Sequence, residues 1–90
     1  MLALDLDDSA RRFLRKLPSK HFGQIDRKIE ALRANPFPQD SRMLKGSDFF
    51  RADSGEYRIV YRVIGARLHV PLIGKRNDDD VYRRFRRMLH

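Results

Sequence analysis

Several arginines are spaced so that they could form a phosphate-binding surface. Arg58 lies within an alternating segment, Tyr57–Ile64, that has the two-residue period of a strand, and its side chain is predicted on the face opposite Tyr57. Arg51 belongs to the preceding predicted strand, and Arg76 follows the last one. If the three strands pair in sequence order, these guanidinium groups converge on one face of a sheet. Because a guanidinium is a planar, permanently charged fork that matches phosphate oxygens, that face is predicted to bind phosphate.

Tyr82 is a further candidate for chemistry. It lies near the start of a predicted C-terminal helix that carries Val81, Phe85 and Met88 at helical spacing. A tyrosine beside the arginine face can stack on a nucleobase or move a proton. Its position also fits an ordinary packing role beside Phe85 and Leu89, and the pattern leaves both roles open.

Other catalytic arrangements are excluded by composition or spacing. The chain has no cysteine, which excludes disulfides, cysteine-ligated zinc and thiol catalysis. His21, His69 and His90 lie on three different predicted elements, so no metal site is expected. The acidic run at residues 78–80 is predicted to be the negatively charged start of the last helix. Serine-hydrolase motifs and glycine-rich phosphate loops are missing, and no cofactor is expected.

The composition favours an acidic partner. Lysine and arginine total 20 against 12 aspartates and glutamates, for a formal charge of +8. Such a basic balance favours nucleic acid, an acidic protein, or both. The 90 residues suffice for one small domain, so residues 1–90 are predicted to form a single unit. No apolar run approaches the ~18 residues of a membrane span, and no signal-like leader opens the chain, which predicts a cytoplasmic protein.

The first part of the chain predicts a strand and two helices. Leucines alternate with other residues over positions 2–6, which is the period of a strand. Apolar residues at helical spacing follow as far as Pro18, which ends the first helix. Ser19 is expected to cap a second helix, which stops at Asn35-Pro36. The short break between them predicts an antiparallel helical hairpin.

The rest of the chain predicts a loop, three strands and the last helix. Residues 35–47 carry the prolines, glycine and small polar residues of a loop. Turns are predicted at Ser54-Gly55 and Gly65-Ala66. Pro71 cannot donate to a strand ladder, so it predicts either an edge strand or a bulge. The order β-α-α-β-β-β-α, with a mostly antiparallel twisted sheet packed against the helical hairpin, predicts a small α+β fold.

Short motifs along nearly the whole chain form a recognisable combination. They are Leu44-Lys45-Gly46, Phe50-Arg51, Gly55-Glu56-Tyr57-Arg58-Ile59-Val60-Tyr61, Gly74-Lys75-Arg76 and Val81-Tyr82. With Phe13–Pro18 on the first helix and Asn35-Pro36 closing the second, the chain resembles the RelE/ParE superfamily of bacterial toxins from type II toxin–antitoxin systems.

The resemblance implies a β-α-α-β-β-β core with a C-terminal helix, and it implies one of two activities. Toxins of the RelE branch cut mRNA in the ribosomal A site without a metal. The ribose 2′-hydroxyl attacks the neighbouring phosphate and leaves a 2′,3′-cyclic phosphate and a 5′-hydroxyl. Toxins of the ParE branch poison DNA gyrase instead. Because both branches share the fold, the fold alone does not decide the function.

The catalytic pattern of the RelE branch implies roles for four residues of this chain. Arg58 matches the arginine of the family's Tyr-Arg strand, and Arg76 matches the arginine after the last strand. Tyr82 follows Arg76 at the family's spacing, and Arg51 stands where the prototype has lysine. The family's other basic residue on that strand falls near Phe49, which leaves the general base unassigned.

Four more basic residues complete the predicted RNA-binding surface. Lys45 or Lys75 could replace the missing basic group, Arg62 shares the predicted face of Arg58, and Arg83 belongs to the basic part of the last helix. We predict that Lys45, Arg62, Lys75 and Arg83 contact the RNA substrate.

The full Arg–Arg–Tyr set favours a ribosome-dependent, metal-independent mRNA endoribonuclease that inhibits translation. The implied partners are a cognate antitoxin, bound in a hetero-oligomer, together with the ribosomal A site and mRNA, and no membrane. One alternative is a ParE-like inhibitor of DNA gyrase. The other is a non-catalytic basic module that binds nucleic acid or an antitoxin.

Overall fold

The computed structural model describes residues 1–77 and 80–89. The predictions about Asp78, Asp79 and His90 therefore lie outside the described residues. The elements in chain order are β1 (Ala3–Leu6), α1 (Asp8–Arg15), α2 (Ser19–Ala34), β2 (Arg42–Met43), β3 (Phe50–Ser54), β4 (Tyr57–Ile64), β5 (Arg67–Lys75) and α3 (Asp80–Met88). None of these helices is long and apolar enough to cross a membrane.

The strands form one mixed sheet in the order β1-β5-β4-β3-β2. β1 runs parallel to β5, and the other three neighbouring pairs are antiparallel. The predicted α+β fold is confirmed. The short strand β2 was missed inside the predicted loop, because two residues are too few to show a strand period. It extends the sheet by pairing Arg42 with Arg51 and Met43 with Phe50.

The turn between β3 and β4 lies one residue later than predicted. It is formed by Gly55 and Glu56, whereas Ser54 still belongs to β3 and pairs with Tyr57. Gly55 has φ +59, a left-handed conformation that glycine adopts without a steric penalty. The two-residue turn sets the register of the hairpin, and it places Asp53 directly opposite Arg58.

Pro71 lies in a bulge on an interior strand. β5 has neighbours on both sides, so the alternative of an edge strand is wrong. Between the pairs Val60–Leu72 and Arg62–His69 the register shifts, because β5 uses one more residue than β4. The predicted bulge is therefore confirmed, and it accommodates a residue without an N–H group.

The sheet carries a core on each face. On one face, α1 and α2 pack with the sheet around buried residues that include Tyr57 and Tyr61. On the other face, α3 packs through Val81 and Phe85 against Val60 and its neighbours. Each buried side chain of this size contributes about 1.5–3 kcal/mol, so two of them hold α3 with only a modest share of the stability.

Neither N-terminal helix has a side-chain cap, and the predicted cap by Ser19 is therefore wrong. Pro18 occupies the N-cap position of α2, and Ser19 is the first helical residue without a capping hydrogen bond. Asp7 occupies the N-cap of α1, but its carboxylate lies 3.0 Å from Nε2 of His69 on β5. A long-range contact therefore replaces the local cap at α1.

Candidate functional site

Arg58 lies near the start of β4, on the sheet face that α3 partly covers. Its Nε donates to Oδ1 of Asp53 at 2.8 Å, and its Nη2 donates to Oδ2 at 3.2 Å. Only 13% of the Arg58 side chain and 32% of the Asp53 side chain are exposed. The two-point contact fixes the plane of the guanidinium and leaves Nη1 to donate to a different partner.

Three arginines lower the pKa of the Asp53 carboxyl. Hydrogen bonding from Arg58 lowers the pKa of the Asp53 carboxyl, and the charges of Arg58, Arg51 and Arg76 lower it further, against the opposing effect of burial. The hydrogen bond from Asp53 in turn raises the pKa of Arg58. Arg51 and Arg76 thus lie close enough to the Asp53 carboxylate for their charges to lower its pKa.

Arg76 is tied to the β3–β4 turn. Its backbone N–H donates to the carbonyl of Glu56 at 2.9 Å, and its Nη1 donates to the carbonyl of Gly55 at 3.3 Å. The end of β5 is thereby fastened to the hairpin that carries Asp53 and Arg58. Arg76 itself stays exposed, so its guanidinium remains accessible to an anion.

Tyr82 reaches Arg58 from the helix above the sheet. Nη1 of Arg58 donates to the Tyr82 hydroxyl, and the guanidinium carbon lies 5.5 Å from the centre of the Tyr82 ring. The contact needs α3 close to the sheet. Gly74, the residue paired with Arg58, provides that closeness, because a Cβ at Gly74 would overlap Cγ2 of Val81.

These five residues form what we call the arginine patch: Arg51, Asp53, Arg58, Arg76 and Tyr82. It combines three guanidinium groups with one carboxylate, for a net charge of +2. Such a surface can bind a phosphate diester and can stabilise negative charge that develops on its oxygens. The aromatic ring of Tyr82 adds a surface on which a base can stack.

Arg62 lies outside the arginine patch. It is four residues from Arg58 on the same strand, which corresponds to about 13 Å. Its Nε donates to Nδ1 of His69 at 3.0 Å, and its guanidinium lies 4.5 Å from the centre of the Phe49 ring. Arg62, His69 and Asp7 thus form a chain of contacts that lines a separate cleft of about 360 Å³. His69 therefore hydrogen-bonds to the neighbouring strand β4 through Arg62.

The other predicted RNA-binding residues are exposed. Lys45 follows β2, Lys75 ends β5, and Arg83 lies on α3, where its Nη2 is 3.8 Å from Oδ1 of Asp80. Phe49 is buried against Phe85 with ring centres 5.2 Å apart, so this position belongs to the apolar core.

Asp53 is the residue of the patch that the sequence interpretation missed. The reason is the turn, which was placed one residue early, so that the pairing of Asp53 with Arg58 was not visible. A two-residue turn at Gly55-Glu56 is the signal that would have found it, since it pairs Ser54 with Tyr57 and the next residues outward with each other.

Comparison by sequence finds no match for this chain, either among family models or among curated proteins. Comparison by structure finds a doubly substituted variant of E. coli RelE in the free state, with a TM-score of 0.78 and 27% identity over 91% of this chain and 90% of that one. The toxin–antitoxin complex RelBE of E. coli matches with a TM-score of 0.74 and 26% identity, over 83% of this chain and 96% of that one.

An archaeal relative shares the same architecture. The RelE–RelB complex of Pyrococcus horikoshii OT3 matches with a TM-score of 0.74 and 23% identity, over 83% of this chain and 94% of the matched one. The similarity spans nearly the full length of these toxin chains.

Proposed function

The chain belongs by its fold to the RelE-like toxin superfamily, and from that premise we propose that it is the toxin of a type II toxin–antitoxin system that cleaves mRNA on the ribosome. The observation that carries the proposal is the position of Arg58, which Asp53 and Tyr82 hold at the centre of the arginine patch. A fixed guanidinium at a phosphate-binding surface suits phosphoryl chemistry in which the protein supplies charge stabilisation.

The reaction we propose is an internal transphosphorylation. The ribose 2′-oxygen forms a bond to the adjacent phosphorus, the bond from phosphorus to the 5′-oxygen breaks, and the products are a 2′,3′-cyclic phosphate and a 5′-hydroxyl. The proton of the 2′-hydroxyl passes to solvent water, and the departing 5′-oxygen receives one proton from solvent water, so the protons balance. Arg58 stabilises the charge on the pentacoordinate phosphorus, and Tyr82 stacks on or orients a base. Arg51 and Arg76 bind phosphate oxygens or assist the protonation of the leaving group.

Asp53 is a positioning residue in this scheme. Both of its oxygens are engaged by Arg58, and its pKa is lowered, so it is a poor acceptor for the 2′-hydroxyl proton. Its contribution is to hold the Arg58 fork in one plane. No step of the scheme requires a metal, because the guanidinium groups supply the positive charge.

Four exposed or partly exposed basic residues extend the proposed RNA surface. Arg83 follows Tyr82 on α3 and can contact a nucleotide that flanks the cleaved one. Lys75 is next to Arg76 at the end of β5, but its pairing with Tyr57 places its side chain on the sheet face opposite Arg58. Lys45 follows β2, and Arg62 lies about 13 Å along β4 from Arg58, so both would contact RNA farther from the arginine patch. All four would act through phosphate charge rather than base identity.

The proposed partners are a cognate antitoxin, mRNA and the ribosomal A site, with the toxin acting in the cytoplasm and joining a hetero-oligomer with its antitoxin. Structural neighbours that are themselves toxin–antitoxin complexes support the first partner. The formal charge of +8 supports both an acidic antitoxin segment and RNA as ligands.

Primer extension on mRNA in a purified translation reaction tests the proposal. Wild type should cut within codons only when ribosomes are present, and Arg58→Ala should lose about 100-fold or more of the activity. Arg67→Ala is the matched control, because Arg67 is exposed at the opposite end of β5 from Arg76. This variant should cleave mRNA as wild type does. Both variants should show a cooperative unfolding transition, so that loss of cleavage is separated from loss of fold.

Other outcomes would redirect the assignment. Growth arrest without cut mRNA, together with loss of DNA supercoiling by gyrase, would replace the proposal with a ParE-like activity. Absence of both cleavage and arrest would leave a basic module that binds nucleic acid or an antitoxin without catalysis.

A further inference from the structure

A second cationic site lies between α1 and α3, outside the arginine patch. Its lining residues are Ser9, Arg12, Phe13, Lys16 and Arg84, and they enclose a cleft of about 300 Å³, which we call the α1–α3 cleft. That volume is at the lower end of the range for small-ligand pockets, about 300–1,000 Å³. Three of the five lining side chains are cations, which is typical of an anion site.

The cations of this cleft differ in how they are held. Arg84 is anchored, because its Nη2 donates to Oγ of Ser9 at 2.6 Å and its Nη1 lies 3.4 Å from Oδ2 of Asp80. Arg12 lies in α1, and Lys16 is the C-cap residue with helical backbone angles, so the two exposed side chains are four residues apart and project from the same side. In the part of the chain that the structure describes, neither forms an ion pair with a carboxylate.

The α1–α3 cleft lies close to the arginine patch. Nη1 of Arg84 is 3.8 Å from the position that a Cβ on Gly74 would occupy, and Gly74 is paired with Arg58 on the neighbouring strand. Neighbouring strands are only ~4.8 Å apart. α3 thus presents Tyr82 to the patch and Arg84 to the cleft, and a single strand of nucleic acid can contact both.

We propose that the α1–α3 cleft binds backbone phosphates of single-stranded RNA that continues from the arginine patch. The inference rests on the proposed function for the identity of the RNA, but the cleft itself is defined by its own residues. Charge alone would also suit an acidic peptide. RNA is favoured because the cleft adjoins a second phosphate-type surface and because Phe13 gives it an aromatic wall against which a base can pack.

Salt-dependent binding tests this proposal without requiring catalysis. The probe is a 2′-O-methyl RNA 12-mer, which lacks the attacking hydroxyl and cannot be cleaved. The test variant is Arg12→Gln with Lys16→Gln, and the matched control is Lys20→Gln with Arg27→Gln, which removes the same charge from exposed residues of α2 outside the cleft. Fluorescence anisotropy is measured over a range of salt concentrations for all three proteins.

A plot of log affinity against log salt has a negative slope. Loss of one or two phosphate contacts should make that slope less steep by roughly 0.7–1.4 in the test variant. The control should keep the slope of wild type. If the 12-mer binds all three proteins equally but sedimentation shows that purified ribosomes bind the test variant more weakly than the control, the proposal is overturned, because the cleft then binds ribosomal RNA rather than a single strand that continues from the arginine patch. Equal slopes and equal ribosome binding would overturn the proposal, and so would selective loss of binding to a polyglutamate peptide.

The failure of this inference and that of the proposed function are distinguishable. A wild-type protein that cuts no mRNA, while the test variant still loses RNA affinity, contradicts the nuclease and supports the cleft. Normal cleavage and normal binding by the test variant contradict the cleft and leave the nuclease in place.

Discussion

Both carboxylate oxygens of Asp53 accept hydrogen bonds from Arg58, at 2.8 and 3.2 Å, across the β3–β4 hairpin. The pair places one negative charge among three arginines on the partly covered face of the sheet. Without that charge, the guanidinium groups of Arg51, Arg58 and Arg76 would repel one another, and Arg58 would lose the contact that fixes its plane. A single carboxylate therefore links the stability of the hairpin to the geometry of the candidate site.

Replacing Asp53 by asparagine should destabilise the protein at neutral pH. The Arg58 side chain of this ion pair is largely buried. We therefore expect a loss of about 1–2 kcal/mol in the free energy of unfolding, and a smaller loss at high salt. Urea titrations at low and high salt measure both effects. Asp48→Asn is the control, since Asp48 is exposed and lies 3.7 Å from Arg62, and it should change stability by less than about 0.5 kcal/mol. An Asp53→Asn protein as stable as wild type would contradict the assigned role.

The contribution of Asp53 should depend on pH in one direction. Its pKa is lower in the folded protein than in the unfolded chain, so the folded state is stabilised wherever the carboxyl is ionised in both states. The full contribution is present above the unfolded value of about 3.9 and is lost as the pH falls through the lower folded value. The stability difference between wild type and Asp53→Asn should be constant from pH 7 to 5 and should shrink below pH 4. A difference that grows on acidification would have the wrong sign for this mechanism.

Tyr82→Phe should separate the hydroxyl of Tyr82 from its ring. The hydroxyl accepts a hydrogen bond from Nη1 of Arg58, whereas the ring can still stack on a base. We expect the phenylalanine variant to lose about tenfold in mRNA cleavage, as for one hydrogen bond to a charged group, with little change in stability. Tyr82→Leu should lose more, because stacking is lost as well. Equal activity of Tyr82→Phe and wild type in a single-turnover cleavage assay would assign Tyr82 to stacking alone.

Gly74→Ala should push α3 away from the sheet. The added methyl group would overlap Cγ2 of Val81, so we expect a loss of about 1–3 kcal/mol in unfolding free energy. Val81→Ala removes the overlapping methyl group, and the double variant should recover at least 0.5 kcal/mol relative to the sum of the single changes. Urea unfolding of the four proteins gives this coupling. Strictly additive effects would contradict a close contact between Gly74 and Val81.

The fold was predictable because its signals are local and repeated. Alternating apolar residues in Tyr57–Ile64 and helical spacing in the two N-terminal helices indicated the right classes of element, and the structure has them. The two-residue strand β2 and the exact ends of the hairpin were not predictable in the same way. Their positions depend on pairing with a neighbouring strand, and pairing leaves no period in so short a segment.

The sequence by itself determined the residues available for chemistry: a basic chain without cysteine that carries Arg51, Arg58, Arg76 and Tyr82. Only the tertiary structure decided which of these side chains share a site. It paired Asp53 with Arg58, and it turned Arg62 toward His69 and Phe49, although both arginines lie on the same face of β4. The physical reason is that the strand register and the close packing of α3 against Gly74 both depend on contacts between segments that are distant in sequence. Residue type and spacing along one strand do not encode such contacts.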